Sequence, residues 1–298
     1  MSLVEQAIAR MRNQANAAAA KVAAAAAAST SSAPASPAAP VMNRVAAPSK
    51  EATRIVIDRL ALRAKGYLAE EGKEKQFANH FRRIKRPLVD KAMSNDTAAE
   101  LRVIMVTSAL PGEGKTFSSI NLALSMAQER DVSVLLVDCD VAKRHIGEIL
   151  GLRDEVGLLD ALVDESLDVE SLVVGTNVPG FSILPAGRRV ETTAELLSSK
   201  RMRQVMAGFC VHNPRRIVLL DSPPLLITNE GRALLKVAGQ IVLVMRAGHT
   251  PRHAVEDAVA LFGPQHAGGI ILNHVGGGGT DGYYYGYGSY YGADANGA

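Results

Sequence analysis

A chain of 298 residues, 47% of them hydrophobic, is long enough for one sizeable α/β domain with appended segments. Its 33 basic and 30 acidic residues leave a net charge of +3, so no global field calls for nucleic acid as a partner. Cys139 and Cys210 sit in or beside apolar runs without metal-ligand spacing, which argues against a disulfide scaffold and for a reducing cytoplasm.

No stretch reaches the roughly 18 to 20 consecutive apolar residues of a spanning helix. Met1 to Gln6 also lack the features of a secretory signal, so the expectation is a soluble chain that meets a membrane only through a partner. Residues 1–14 place Leu3, Ile8 and Met11 on one side of a short helical pattern, either a docking element or a marginal amphipathic helix. Residues 15–49 collapse to Ala, Ser and Pro, which offer too little apolar area to offset the entropy of ordering, and read as a disordered linker. Residues 50–98 regain helical spacing through Ile55, Ile57, Leu60, Leu62, Phe77, Phe81, Ile84 and Leu88, an N-terminal helical extension.

Residues 99–275 alternate short β-branched runs with longer helical stretches, the sign of a mostly parallel, doubly wound sheet with helices on both faces. The strands are expected at Arg102 to Thr107, Ser133 to Asp138, Phe181 to Pro185, Arg216 to Asp221, Gln240 to Arg246 and Gly268 to Asn273. Thr116 to Glu129 and Ala194 to His212 are expected as crossover helices. Residues 276–298 are Gly and Tyr with almost no aliphatic residue, and read as disordered.

The segment Ala109-Leu110-Pro111-Gly112-Glu113-Gly114-Lys115-Thr116 follows a strand and opens a helix, the setting in which a P-loop presents backbone amides to phosphate. Gly112 and Gly114 let the backbone curl around phosphate, Lys115 supplies a cation, and the Thr116 hydroxyl can ligate Mg²⁺. Pro111 to Phe117 are thus the expected ATP-binding run, the fold class being that of a P-loop NTPase. Asp221 closes the aliphatic run Ile217 to Leu220 like a Mg²⁺-binding strand-end acid. Asp138 and Asp140 flank Cys139 and, in an extended segment, would project to the same side. One could help hold Mg²⁺ while the other takes a proton from an attacking hydroxyl, and the sequence does not assign which. Asn273, at the end of the last strand, offers both a donor and an acceptor, with which it could read adenine or simply cap the strand end. Arg246 and Thr250, at another strand exit, could approach nucleotide or tail, but read more readily as a surface loop.

These residues resemble the bacterial tyrosine kinases of capsule and exopolysaccharide export, most closely their exosortase-associated autokinase branch. The likeness is carried by Met1-Ser2-Leu3-Val4-Glu5, Phe81 to Leu88, Pro111 to Thr116, Val137 to Lys143, Leu220 to Pro224 and the tyrosine tail. The resemblance implies a protein-tyrosine autokinase using ATP and Mg²⁺, with Lys115, Asp138 and Asp140 catalytic and Thr116, Asp138 and Asp221 around the metal. The implied phosphoacceptors are Tyr283, Tyr284, Tyr285, Tyr287, Tyr290 and Tyr291. It further implies a membrane chain-length determinant, a polysaccharide co-polymerase, as activator, a cognate tyrosine phosphatase, and a place at the inner membrane through that partner. Arg83 and Arg86 are the implied contacts of a ring of subunits, although His80 stands where the family carries a glutamate. Lys143 stands near where the wider family often has arginine. Leu110 occupies the position of a signature lysine in partition and septum-placement ATPases, which favours a kinase over the alternative, a P-loop ATPase switch that docks a membrane partner without tyrosine phosphorylation.

Overall fold

The aliphatic runs assemble into one eight-stranded sheet in a computed structural model that describes residues 54–94, 99–152, 155–263 and 266–275. The expected N-terminal helix, the linker and the tyrosine tail lie outside the described residues. The strands are β1 (Arg54–Ile55), β2 (Val103–Ser108), β3 (Ser133–Asp138), β4 (Val174–Thr176), β5 (Phe181–Leu184), β6 (Arg216–Asp221), β7 (Gln240–Arg246) and β8 (Ala267–Asn273). The helices are α1 (Arg59–Ala64), α2 (Glu74–Ala92), α3 (Lys115–Met126), α4 (His145–Leu150), α5 (Leu158–Val163), α6 (Thr193–Leu197), α7 (Lys200–His212), α8 (Asn229–Leu234) and α9 (Arg252–Ala260). Strand order is β1-β4-β5-β3-β6-β2-β7-β8, parallel at every pairing except β4 with β5.

Helices cover both faces, so the central strands are aliphatic along almost their whole length rather than alternating with polar residues. The period of two then sorts them between two cores. Val103, Met105, Leu135, Val137, Val218 and Leu220 pack toward α7, while Ile104, Val106, Val134, Leu136, Ile217 and Leu219 pack toward α2 and α3.

Two local readings change. Ile55 is not helical but lies in β1, paired in parallel with β4, and the next turn is fixed by the Ile57 N–H donating to Asn177 Oδ1 at 2.8 Å. Both β1 and β4 are too short for a periodic signal, and each is held by its neighbour. The helix expected from Ala194 to His212 is two helices, because the Ser199 hydroxyl accepts the Met202 N–H at 3.0 Å and starts α7 afresh as an N-cap.

Residues of the extension are built into the domain. Phe81, Lys85, Leu88 and Ala92 recur at helical spacing on the buried face of α2. Lys85 Nζ donates to Ser125 O at the C-terminal turn of α3 at 2.5 Å and pairs with Glu129 at 2.9 Å. An ammonium there meets the negative end of the helix that follows the P-loop. Gln240, 1% exposed, donates from Nε2 to Leu88 O and Leu101 O at 3.1 and 2.6 Å and ties α2 to β7. Lys85→Met keeps the apolar stem and removes these charged bonds, and is expected to lower unfolding free energy by about 2 kcal/mol in urea titrations. A change within about 0.5 kcal/mol, the usual range for surface substitutions, would show that the anchor contributes little.

Candidate nucleotide and phosphoryl-transfer site

Strand β2 delivers the chain to Ala109, and α3 starts at Lys115, so the loop between them lies at the carboxyl edge of the sheet, where open α/β folds place their ligands. Gly112 and Gly114 take φ of +80° and +94°, backbone that side chains strain to adopt. A Cβ on Gly114 would also overlap the side-chain amide of Asn273, which has come from the end of β8 to donate to Glu113 O at 3.1 Å. The first intrahelical bond of α3 is from Ser118 N–H to Gly114 O at 2.9 Å. The amides of Lys115, Thr116 and Phe117 therefore precede it and are directed out of the helix start toward an anion.

Not every residue of the expected ATP-binding run offers its side chain. The Glu113 carboxylate is turned inward, with Oε2 accepting the Leu110 N–H at 2.8 Å and Oε1 accepting the Thr250 hydroxyl. The Phe117 ring packs against Phe77 and Phe81 with centroids 6.1 and 6.3 Å away, which leaves its backbone N–H to face the loop. Thr250, read from sequence as surface loop, is joined to the P-loop instead. Its hydroxyl oxygen also accepts the Arg246 N–H at 2.8 Å.

The acids converge. Asp138 and Asp221 are register partners at the ends of β3 and β6, both with no exposed surface, and Asp140 is 3% exposed. Asp221 accepts the Thr116 hydroxyl at 2.9 Å on one oxygen and the Ser119 hydroxyl at 2.8 Å on the other. Ser119, one turn along α3 from Thr116, was not singled out from sequence, although its i+3 spacing puts it on the same helix face. Asp138 accepts the N–H groups of Asp140 and Gly147, each at 3.2 Å. Strand β3 ends at Asp138, the Cys139 N–H still pairs with Asp221 O at 2.9 Å, and a turn starts at Asp140. Arg144, at φ +46°, closes that turn with its N–H on Asp140 O at 2.7 Å.

Burial and the neighbouring Asp221 push Asp138 up to about 8, and burial pushes Asp221 up to about 6 against the pull of Lys115. Lys115, 6% exposed, is itself held below its ordinary value by burial, with Asp221 and Asp140 opposing. A site that holds its acids' protons in this way is short of positive charge, which a divalent cation supplies. Among the described residues no three His, Cys, Asp or Glu side chains form a metal cage. Mg²⁺ takes one or two carboxylates together with phosphate oxygens and water. Thr116, Asp138 and Asp221 are the side chains that could hold it.

Arg83, Arg86 and His80 are exposed on α2. The six tail tyrosines lie outside the described residues. Among the described residues no helix is long and apolar enough to cross a membrane.

The raised Asp221 value has a consequence for the ligand-free chain. Below about pH 3 the group is protonated whether folded or unfolded; above that the unfolded chain ionises first, and the penalty is complete above about pH 6. Asp221→Asn removes the penalty while its amide still bonds Thr116 and its oxygen Ser119. The variant is expected to exceed the parent by on the order of 2 to 3 kcal/mol at about pH 7.5, the gain fading toward pH 4 in paired urea titrations. An equal gain at both pH values would refute the electrostatic origin.

Residues 101–259 match a family model described as the AAA domain. Tyrosine-protein kinase YwqD of Bacillus subtilis is 34% identical over 159 residues, which cover 53% of this chain and 65% of that protein. Tyrosine-protein kinase wzc of Salmonella typhimurium is 31% identical over 179 residues, 59% of this chain and 24% of that one. The chain thus spans less than two thirds of either relative. Among solved structures, the VpsO kinase domain superposes with a TM-score of 0.56 at 30% identity, covering 69% of this chain and all of that domain. The chain belongs to the AAA domain family, among its bacterial tyrosine-kinase (BY-kinase) members.

Proposed function

We propose that the protein is an ATP-dependent protein-tyrosine autokinase that phosphorylates its own C-terminal tyrosine cluster. The observation that carries this reading is the convergence of three buried carboxylates, Asp138, Asp140 and Asp221, on Lys115 at the edge of the phosphate loop, enough to face a cation and still take a proton. In the proposed reaction a tail tyrosine hydroxyl attacks the γ-phosphorus of ATP, its proton passes to Asp140, the carboxylate of the pair left free of the metal, and ADP leaves as the β–γ bridging bond breaks. Lys115 and the amides at the start of α3 hold the phosphates. Mg²⁺, when bound by Thr116, Asp138 and Asp221, would neutralise charge on the phosphate oxygens. Asn273 reads adenine with the amide hydrogen and oxygen left over from its bond to Glu113.

The named kinases among the relatives support the reaction class, and the six tyrosines in a glycine-rich stretch, Tyr283, Tyr284, Tyr285, Tyr287, Tyr290 and Tyr291, supply reachable acceptors. Each phosphate would add about −1.5 to −2 charges, enough to weaken contacts between neighbouring tails. The wider role, regulation of exopolysaccharide polymerisation and export at the inner membrane with a co-polymerase activator and a phosphatase, is part of the same proposal. So are membership of the exosortase-associated branch and contacts between subunits through Arg83 and Arg86.

Incubation of the purified full chain with Mg·ATP should raise its intact mass in steps of one phosphate, mapping by peptide sequencing between Tyr283 and Tyr291. Lys115→Met should abolish the steps. An unmodified tail in the parent chain, with a co-polymerase cytoplasmic segment present as well, would sink the kinase reading in favour of a nucleotide switch.

A further inference from the structure

We infer that Thr250 is a positioning residue for nucleotide, holding the phosphate loop in its binding shape from outside the loop through the buried carboxylate of Glu113. This rests only on the nucleotide-binding half of the proposed function.

A carboxylate within a phosphate loop has the wrong sign for the ligand, and at this position it is kept away by being used. Glu113 is 3% exposed, while Pro111 and Gly112 beside it are exposed at the loop tip. One of its oxygens accepts the Leu110 N–H at 2.8 Å, closing the Leu110–Glu113 turn across its own base. The other accepts the Thr250 hydroxyl, and that bond leaves the loop for a different part of the chain, 137 residues away. Thr250 is fixed in turn. Its hydroxyl oxygen accepts the Arg246 N–H at 2.8 Å and its own N–H donates to Arg246 O at 3.0 Å, so the turn from β7 into α9 is closed at both ends.

The backbone of the same residue is gripped separately, by Asn273 from the end of β8. Glu113 is therefore fastened by its side chain to the exit of β7 and by its carbonyl to the exit of β8. Between these fastenings the chain must hold Gly112 at φ +80° and Gly114 at φ +94°, conformations that a glycine-rich turn abandons readily when nothing pins it. The clamp fixes the curl before phosphate arrives, so that less ordering remains to be done on binding.

The test uses the full chain and a fluorescent ATP analogue with Mg²⁺. Thr250→Val keeps the shape and removes the hydroxyl; it is expected to weaken nucleotide affinity about tenfold and raise the KM for ATP in step, while kcat changes less than about twofold. Thr250→Ser returns the hydroxyl and should restore affinity to within about twofold of the parent. Adding Thr250→Val to Glu113→Ala should cost nothing further, since the two residues act through one bond. Unchanged affinity in Thr250→Val, failure of serine to rescue, or additive losses in the double variant would each overturn the inference. Affinity is read without phosphate transfer. A chain that binds the analogue and shows this pattern but phosphorylates nothing would refute the kinase reading and leave the clamp standing.

Discussion

Two carboxylates, Asp138 and Asp221, stand side by side on neighbouring strands with no water-exposed surface, and the rest of the site is organised around the charge they carry. Isolated, such a pair would hold its protons tightly, because burial and mutual repulsion act in the same direction. The protein offsets part of that cost with Lys115 and with the hydroxyls of Thr116 and Ser119, all from the first turns of one helix. What it leaves uncompensated is a deficit of positive charge beside a loop shaped for phosphate. Stability has been given up where a cation and a nucleotide would restore it, the usual sign of a functional site.

The sheet makes this possible by register alone. Parallel pairing of β3 with β6 sets Asp138 opposite Asp221, and pairing of β6 with β2 sets Asp221 opposite Val106, just before the loop. Because both sheet faces are covered, the acids at the strand ends are buried, and the first turns of α3 set Thr116 and Ser119 against them. The extension reinforces the arrangement from the far side, where Lys85 secures the C-terminal turn of α3. A helix fixed at its tail presents its head reproducibly.

Much of this was legible in the sequence for a plain reason: buried parallel strands are continuous aliphatic runs, and a P-loop must spell its glycines, lysine and hydroxyl in fixed order. The acids were legible because they terminate those runs. Features created by long-range contact were not. Strands β1 and β4 exist through each other, and the Glu113 bond to Thr250 joins segments that carry no mark of one another. Ser199 is a different case, since a serine beginning a helix is a local signal, but the apolar spacing of Leu196, Leu197 and Met202 runs across it and suggests one helix where there are two.

If the buried acids hold protons only until the missing charge arrives, binding must release them. Calorimetry of Mg·ATP binding at about pH 7, in two buffers of different ionisation enthalpy and with Mg²⁺ in excess, counts the protons exchanged. The account predicts release of roughly one proton per nucleotide bound, mostly from Asp138, diminishing above about pH 8 and reduced in Asp138→Asn. Binding with no proton release at pH 7 would contradict it.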